Sequence, residues 1–244
     1  MNRVAAPPQC ARLGMIELGG WLAASAAVVA LAWLLRRCRV ANRIDWGASW
    51  INHLDGLVRI VCRRFHGLGD DVLPLPESGA ALLVSNHVSG LDPLLLIAAS
   101  RRPLRFVIAR EEYERWWLRW LLRGVGCIPI ERSRNPRGAL KLARAALEAG
   151  EVVALFPQGR IQLDHEPSQP LKRGVAWLAG MTHAPVYAVR IDGVRGQGLT
   201  AAAVLLPSRV QLQFFQPLYL RGQEPAQFLE ELQQLMAKPA GRGD

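Results

Sequence analysis

Apolar and polar positions fall into blocks of distinct period along this chain. Residues 18–35 carry no charged side chain, and the run is close to the length that spans a hydrocarbon core, so it predicts one transmembrane helix. It ends in Arg36-Arg37-Cys38-Arg39 rather than at a small-residue cleavage site, which sets it apart from a cleaved signal peptide. Between residues 45 and 66 Trp46, Trp50, Ile51, Leu54, Leu57, Val58 and Val61 recur at helical spacing, opposite Asn52, Asp55, Arg59 and Arg63. This is an amphipathic helix, and its stripe fits two settings: a bilayer surface, which suits the two tryptophans near its start, or the core of its own domain. From there strand-like and helix-like runs alternate. Strands are expected over 80–84, 105–109, 127–130, 152–156, 185–189 and 210–215, and helices over 94–99, 116–122, 136–149, 172–181 and 224–237. Alternation of this kind implies an α/β layer fold. The chain divides into an N-terminal anchor, 1–43, and one domain, 44–244; the turn-rich stretches 67–79 and 164–170 are the candidate linkers, and no internal repeat is visible.

Composition sharpens this outline. A chain of 244 residues, half of them hydrophobic, buries one sizeable core once the anchor is set aside. The net charge of +10 favours anionic partners such as phospholipid headgroups. Only three of the 30 basic residues are lysine, so the arginine excess also fits a codon bias. The basic residues are scattered and no nucleic-acid motif is present, so no nucleic-acid partner is expected. Arg36, Arg37, Arg39 and Arg43 follow the apolar run whereas Arg3 and Arg12 precede it, which places the domain on the cytoplasmic side of the inner membrane. Cys10, Cys38, Cys62 and Cys127 show neither metal-site nor disulfide spacing, and Cys38 beside the span reads as a buried thiol or as an acylation site. No metal is expected.

Candidate chemistry is concentrated in Asn86-His87-Val88-Ser89-Gly90-Leu91-Asp92-Pro93, between an apolar strand and a helix entered at Pro93. His87 and Asp92 face each other across one turn. A neutral imidazole is suited to taking a proton near pH 7, and a carboxylate beside it fixes its tautomer and stabilises the imidazolium. The plainer reading is that Asp92 caps the helix and His87 satisfies a backbone group.

The string Asn-His-x-Ser-x-x-Asp resembles the first signature of the glycerolipid acyltransferases, the family that includes 1-acylglycerol-3-phosphate acyltransferase, and the resemblance extends over roughly residues 70–220. Gly126-Cys127-Ile128-Pro129-Ile130-Glu131-Arg132 is similar to the family's second block, whose arginine is associated with the acceptor phosphate; a guanidinium grips a phosphate bidentately, as lysine cannot. The alternative for Arg132 is an exposed cation paired with Glu131. Phe156-Pro157-Gln158-Gly159 resembles the third block, F-P-E-G-T-R, but Gln158 replaces its glutamate, Arg160 its threonine and Ile161 its arginine. Lys172-Arg173-Gly174 matches the K-x-G that follows it, with Lys172 a candidate anion contact. Ala184-Pro185-Val186-Tyr187-Ala188-Val189 resembles the fourth block without its second proline.

The resemblance implies a single acyltransferase domain with a mixed sheet flanked by helices. It implies transfer of an acyl group from acyl-CoA or acyl-carrier protein to the hydroxyl of a lysophospholipid, 1-acylglycerol-3-phosphate becoming phosphatidate. His87 is then the general base and Asp92 its partner, Ser89 supports the loop, and no cofactor is needed. Backbone N–H groups near Gly90 or the helix start are the expected oxyanion donors. No Ser, Cys or Thr sits in a nucleophile elbow, so transfer is direct. The altered third block leaves room for another acceptor, such as a different lysophospholipid or a lyso-ornithine lipid, and for a catalytically silent lipid-binding member.

Overall fold

The computed structural model describes residues 9–131, 136–163, 166–167 and 169–237, with side chains from residue 20 onward. α1 (Gln9–Ala41) extends beyond the expected apolar run at both ends, and its stretch Gly20–Ala41 is long and apolar enough to cross a membrane. Most of that stretch is bare: Trp21, Val28, Val29 and Trp33 are all exposed. Its C-terminal end is covered by α2 (Ser49–Arg64), where a Cβ on Gly56 would overlap the Cys38 carbonyl, so the crossing needs glycine. That crossing buries Cys38, which settles it as an interior thiol rather than an accessible acylation site.

α2 is narrower than the expected 45–66, and it buries two of the polar positions opposite the apolar stripe together with Ile51 from the stripe itself. Asp55 and Arg59, opposite the apolar stripe, are 4 % and 2 % exposed, while Trp50, Leu57 and, just after the helix, Phe65 are exposed. Burying them is possible because each of these two charges has partners. Arg59 Nε lies 2.6 Å from Asp55 Oδ2, and its two Nη atoms donate to the carbonyls of Ala98 and Ser100, each at 2.9 Å. Trp46 Nε1 also donates to Asp55, at 3.3 Å. A buried ion pair with all its donors satisfied is tolerated where an unpaired charge would not be.

The core is a six-stranded sheet in the order β3-β2-β4-β1-β5-β6, formed by β1 (Ala81–Ser85), β2 (Leu104–Ala109), β3 (Ile128–Ile130), β4 (Val152–Leu155), β5 (Val186–Asp192) and β6 (Gln211–Phe214). The first five run parallel and β6 pairs antiparallel to β5, so the sheet is mixed, as expected. β1 is buried at every position, the signature of a strand covered on both faces. Its alternation divides the core. Ala81 and Leu83 join the layer of α3 (Asp92–Ala99), whereas Leu82 and Val84 meet α6 (Arg137–Glu148), α7 (Gly174–Thr182) and α8 (Pro225–Met236).

Two elements depart from expectation. The helix expected over 116–122 is replaced by α4 (Arg110–Tyr113), a turn in which Leu118 and Arg119 both donate to the Arg115 carbonyl, and α5 (Arg119–Gly124). Trp116 in that turn is 87 % exposed, so the apolar spacing there does not mark a core face. A 3₁₀ turn, Ala201–Leu205, lies in a stretch with no strong period. The candidate linker 67–79 is irregular but packed: Leu68 and Leu73 are buried, and Leu73 N–H donates to the Ala99 carbonyl.

Candidate active site

The site forms where parallel strands end, the edge at which open α/β sheets hold ligands. β1 and β4 are neighbours with Val84 opposite Leu155, so the segments leaving them, 86–91 and 156–160, emerge side by side. Asn86 fixes the first. Its Nδ2 donates to the Ile191 carbonyl at 2.9 Å and its Oδ1 accepts from Ile191 N–H at 2.7 Å, which ties the loop to β5. Phe156 begins the second, and its ring stacks on the His87 imidazole with centroids 4.1 Å apart and planes 15° from parallel.

His87 Nδ1 lies 2.8 Å from Asp92 Oδ2. The Asp92 side chain is fully buried, whereas that of His87 keeps 17 % of its surface exposed. The same Oδ2 accepts from Val88 N–H at 2.7 Å and Ser89 N–H at 2.9 Å, and Oδ1 accepts from Ser89 Oγ at 2.9 Å. A buried carboxylate with this many donors is acceptor-only, so Nδ1 carries the proton and Nε2 holds a free lone pair. The plain capping reading fails in detail. Leu91, not Asp92, occupies the N-cap position of α3, and the carboxylate closes the loop before it.

The expected backbone oxyanion donors are spent. Val88 and Ser89 give their N–H groups to Asp92, Leu91 N–H goes to Ser89 Oγ, Asp92 N–H points to the Ser89 carbonyl, and Gly90 N–H donates to the Leu199 carbonyl at 3.0 Å. Pro93 has none to offer. Gly90 owes its identity to crowding rather than to oxyanion binding: a Cβ there would collide with the Thr200 backbone. Gly198 N–H donates to the Val88 carbonyl on the same side. The segment 193–206 is therefore a brace for the loop from Asn86 to Asp92. Nothing in the sequence reading identified it; its only signal is the density of Gly193, Gly196 and Gly198.

The remaining expected residues are spread along the same edge. Gly126 turns the chain into β3 with φ of 71°. Glu131 follows β3 and pairs with Arg110 at 2.9 Å, so it is already engaged; Arg132 lies outside the described residues. Gln158, two residues after Phe156, has its Oε1 buried with no hydrogen-bond partner among the described residues. Arg160 is turned outward, with Nε 3.0 Å from Gln169 Oε1 and Nη2 3.5 Å from Glu166 Oε2. Lys172 is joined to this loop through its N–H, which donates to the Pro157 carbonyl at 2.9 Å, and its stem lies over Gly159. Asn86, His87, Ser89, Asp92 and Phe156 thus converge, while Glu131 and Arg160 are engaged elsewhere.

The thiols stand apart from any chemistry here. Burial pushes Cys62 and Cys127 up to about 12, so neither is a thiolate near neutral pH. Among the described residues no group of His, Cys, Asp and Glu could hold a metal ion.

Comparison with known proteins agrees with the geometry. The chain is 31 % identical over 124 residues to a probable 1-acyl-sn-glycerol-3-phosphate acyltransferase of Mycoplasma pneumoniae, a match covering 48 % of this chain and 46 % of that relative. It is 23 % identical over 120 residues to the 1-acyl-sn-glycerol-3-phosphate acyltransferase of Bacillus subtilis, covering 49 % and 59 %. The chain thus spans about half the length of the curated relatives it matches. In fold it is similar to the crystal structure of the 1-acyl-sn-glycerophosphate acyltransferase PlsC from Thermotoga maritima, with a TM-score of 0.57 at 20 % identity over 96 % of this chain and 100 % of that one. The Acyltransferase family model matches residues 70–192, the stretch that carries the loop from Asn86 to Asp92 and the strand ends as far as β5, and on that match this chain belongs to the Acyltransferase family.

Proposed function

We propose that this chain moves a fatty acyl group from an acyl thioester to the free hydroxyl of 1-acylglycerol-3-phosphate, giving phosphatidate. The observation that carries the reading is the contact between His87 Nδ1 and the buried Asp92 carboxylate, which leaves Nε2 as a base on a partly open face. His87 Nε2 takes the hydroxyl proton as that oxygen bonds to the thioester carbonyl carbon. The tetrahedral intermediate then collapses, the C–S bond breaks, and the imidazolium returns the proton to the departing thiolate of coenzyme A or of a carrier protein. Asp92 stabilises the imidazolium between these two steps. The acceptor follows the names of the relatives and the second sequence block, in which Arg132 is assigned to the acceptor phosphate.

The same reading sets the chain in a membrane. α1 crosses it within Gly20–Ala41, the exposed Trp50 and Leu57 of α2 and Phe65 just after it rest on its surface, and Arg36, Arg37, Arg39 and Arg43, at and beyond the C-terminal end of α1, keep the domain on the cytoplasmic side. The test is a panel of lyso-lipids offered to the purified full chain with labelled acyl-CoA and acyl-carrier protein. Phosphatidate formation from lysophosphatidate is the expected result. Turnover confined to another lyso-lipid would reassign the acceptor, and none on any of them would remove the enzymatic reading.

A further inference from the structure

Two surfaces of opposite character meet at Trp33 on α1. On its N-terminal side Leu22, Ala26 and Val29 form an open apolar face that ends at the Trp33 ring. On its C-terminal side α1 and α2 enclose a cleft of about 560 Å³ that Trp33 also lines, and into which Arg36, Arg37, Arg43, Arg63 and Arg64 converge. Asp70 is the one carboxylate among the lining residues and pairs with Arg63. Arg59 at the cleft is already held by Asp55, and Arg37 lies over the Trp33 ring at 5.2 Å. The side chains of Arg36, Arg43 and Arg64 meet no carboxylate among the described residues.

Gathering like charges in one concavity is unfavourable unless an anion enters it. Orienting α1 across a membrane requires only that arginines cluster at and beyond its C-terminal end. It does not require that Arg63 and Arg64, from the far end of α2, be brought to the same cleft. Guanidinium forks match phosphate oxygens, and the apolar face beginning at Trp33 matches an acyl chain leaving that phosphate. We propose that this cleft binds the headgroup phosphate of an anionic glycerophospholipid, with an acyl chain laid along Leu22, Ala26, Val29 and Trp33. The site is built from none of the residues around His87, and it rests on the membrane reading of α1 given above. Its ligand is a resident lipid rather than the acyl acceptor.

The test uses the full chain in a neutral sugar detergent, titrated by calorimetry at low ionic strength with dihexanoylphosphatidylglycerol, dihexanoylphosphatidylcholine and inorganic phosphate. The anionic lipid should bind well ahead of the zwitterionic one. Arg36→Gln, Arg43→Gln and Arg64→Gln should each reduce that preference about five-fold, and together on the order of a hundredfold. A control carrying Arg101→Gln, Arg209→Gln and Arg221→Gln removes the same charge elsewhere and should keep the preference. Should the triple cleft variant fail to fold, as read by its melting curve, the single variants carry the test. Equal binding of the two lipids, or equal losses in cleft and control variants, overturns the site. Phosphate binding as tightly as the anionic lipid overturns the lipid assignment in favour of a soluble anion. Retention of the chain in phosphatidylcholine vesicles after an alkaline wash checks the membrane reading separately. A chain washed off sinks that reading and the site with it, whereas a retained chain without lipid preference sinks the site alone.

Discussion

Asp55 and Asp92 are the same side chain under nearly the same burial, and they serve opposite ends. Each collects several donors: Asp55 takes Arg59 and the Trp46 indole, and Asp92 takes Val88, Ser89 and His87. The difference lies in the partner and its access. A guanidinium is a fixed cation with no proton to exchange in catalysis, and that of Arg59 is sealed between α2 and the end of α3, so the pair is a fastener. An imidazole is a side chain that can carry a proton between reacting groups, and that of His87 is partly open to the surface, so the same carboxylate becomes part of a base. Burial of a carboxylate does not by itself mark chemistry; a titratable partner with an exit does.

The most damaging way to break this contrast is at His87. His87→Ala should leave a folded, membrane-bound chain whose turnover falls by a factor on the order of a hundred to ten thousand. Asp92→Asn is the finer cut. Its amide oxygen can take over the contacts to Val88, Ser89 and His87 while its NH₂ faces Ser89 Oγ, so the loop survives and only the negative charge is lost. Melting curves close to wild type with turnover well below it would place Asp92 in the chemistry. Parallel loss of both would make it a fastener like Asp55.

At the fastener the losses should run the other way. Asp55→Leu leaves Arg59 buried and unpaired and should cost about 3–5 kcal/mol of stability, read by chemical unfolding, with turnover per folded molecule little changed. Adding Arg59→Met should recover most of that loss, because two apolar side chains replace the pair without stranding a charge. A double variant no more stable than Asp55→Leu alone would show that the Arg59 contacts to Ala98 and Ser100 matter more than the pair.

The same contrast explains what was legible in the sequence. β1 and β4 announce themselves as apolar runs and β5 does so as far as Val189, and the loop from Asn86 to Asp92 is local, so five residues of spacing suffice to bring His87 to Asp92. α2 is different. Periodicity separates its apolar stripe from its polar one, but which stripe faces protein depends on Ala98 and Ser100, about forty residues later, offering carbonyls to Arg59. The ties from Asn86 to Ile191 and from Gly90 to Leu199 span more than a hundred residues, and only the sheet order brings them together. The oxyanion expectation failed for a related reason: a backbone N–H is free or spent according to partners that no local pattern contains.

Arg132 extends the comparison to a guanidinium assigned to a ligand rather than to a carboxylate of the fold. Glu131, its nearest acidic neighbour in sequence, is taken by Arg110. If Arg132 grips the acceptor phosphate, Arg132→Ala should raise the lysophosphatidate KM about ten- to a hundredfold, the worth of a charged hydrogen bond of roughly 1.5–3 kcal/mol, with the donor KM much less affected. Arg132→Lys should recover only part, since it restores charge without the planar fork. Unchanged lysophosphatidate kinetics in a folded Arg132→Ala protein would remove the phosphate assignment.

His66 gives the smallest and subtlest test, because it is an imidazole buried without the carboxylate that His87 has. It is fully buried just after α2, edge-on to Phe65, and its carbonyl accepts from Val210 N–H. Burial pulls it below the ordinary histidine range, and the nearby Val204 and Leu206 carbonyls oppose this only in part. A histidine lowered in this way is neutral in the folded chain and takes up its proton more readily when unfolded. Its contribution to stability is complete above the unfolded value, about 6.5, and is lost as pH falls from there through the lowered folded value. The melting temperature should therefore decline between pH 7.5 and 5.5, and His66→Gln, which cannot titrate, should flatten that decline. Since Val204 and Leu206 lie at the C-terminal end of the segment that braces Gly90, the wild-type chain should also lose turnover on incubation at the acid end sooner than the variant does. Superimposable pH–melting curves for the two proteins would show that His66 is not the titrating group.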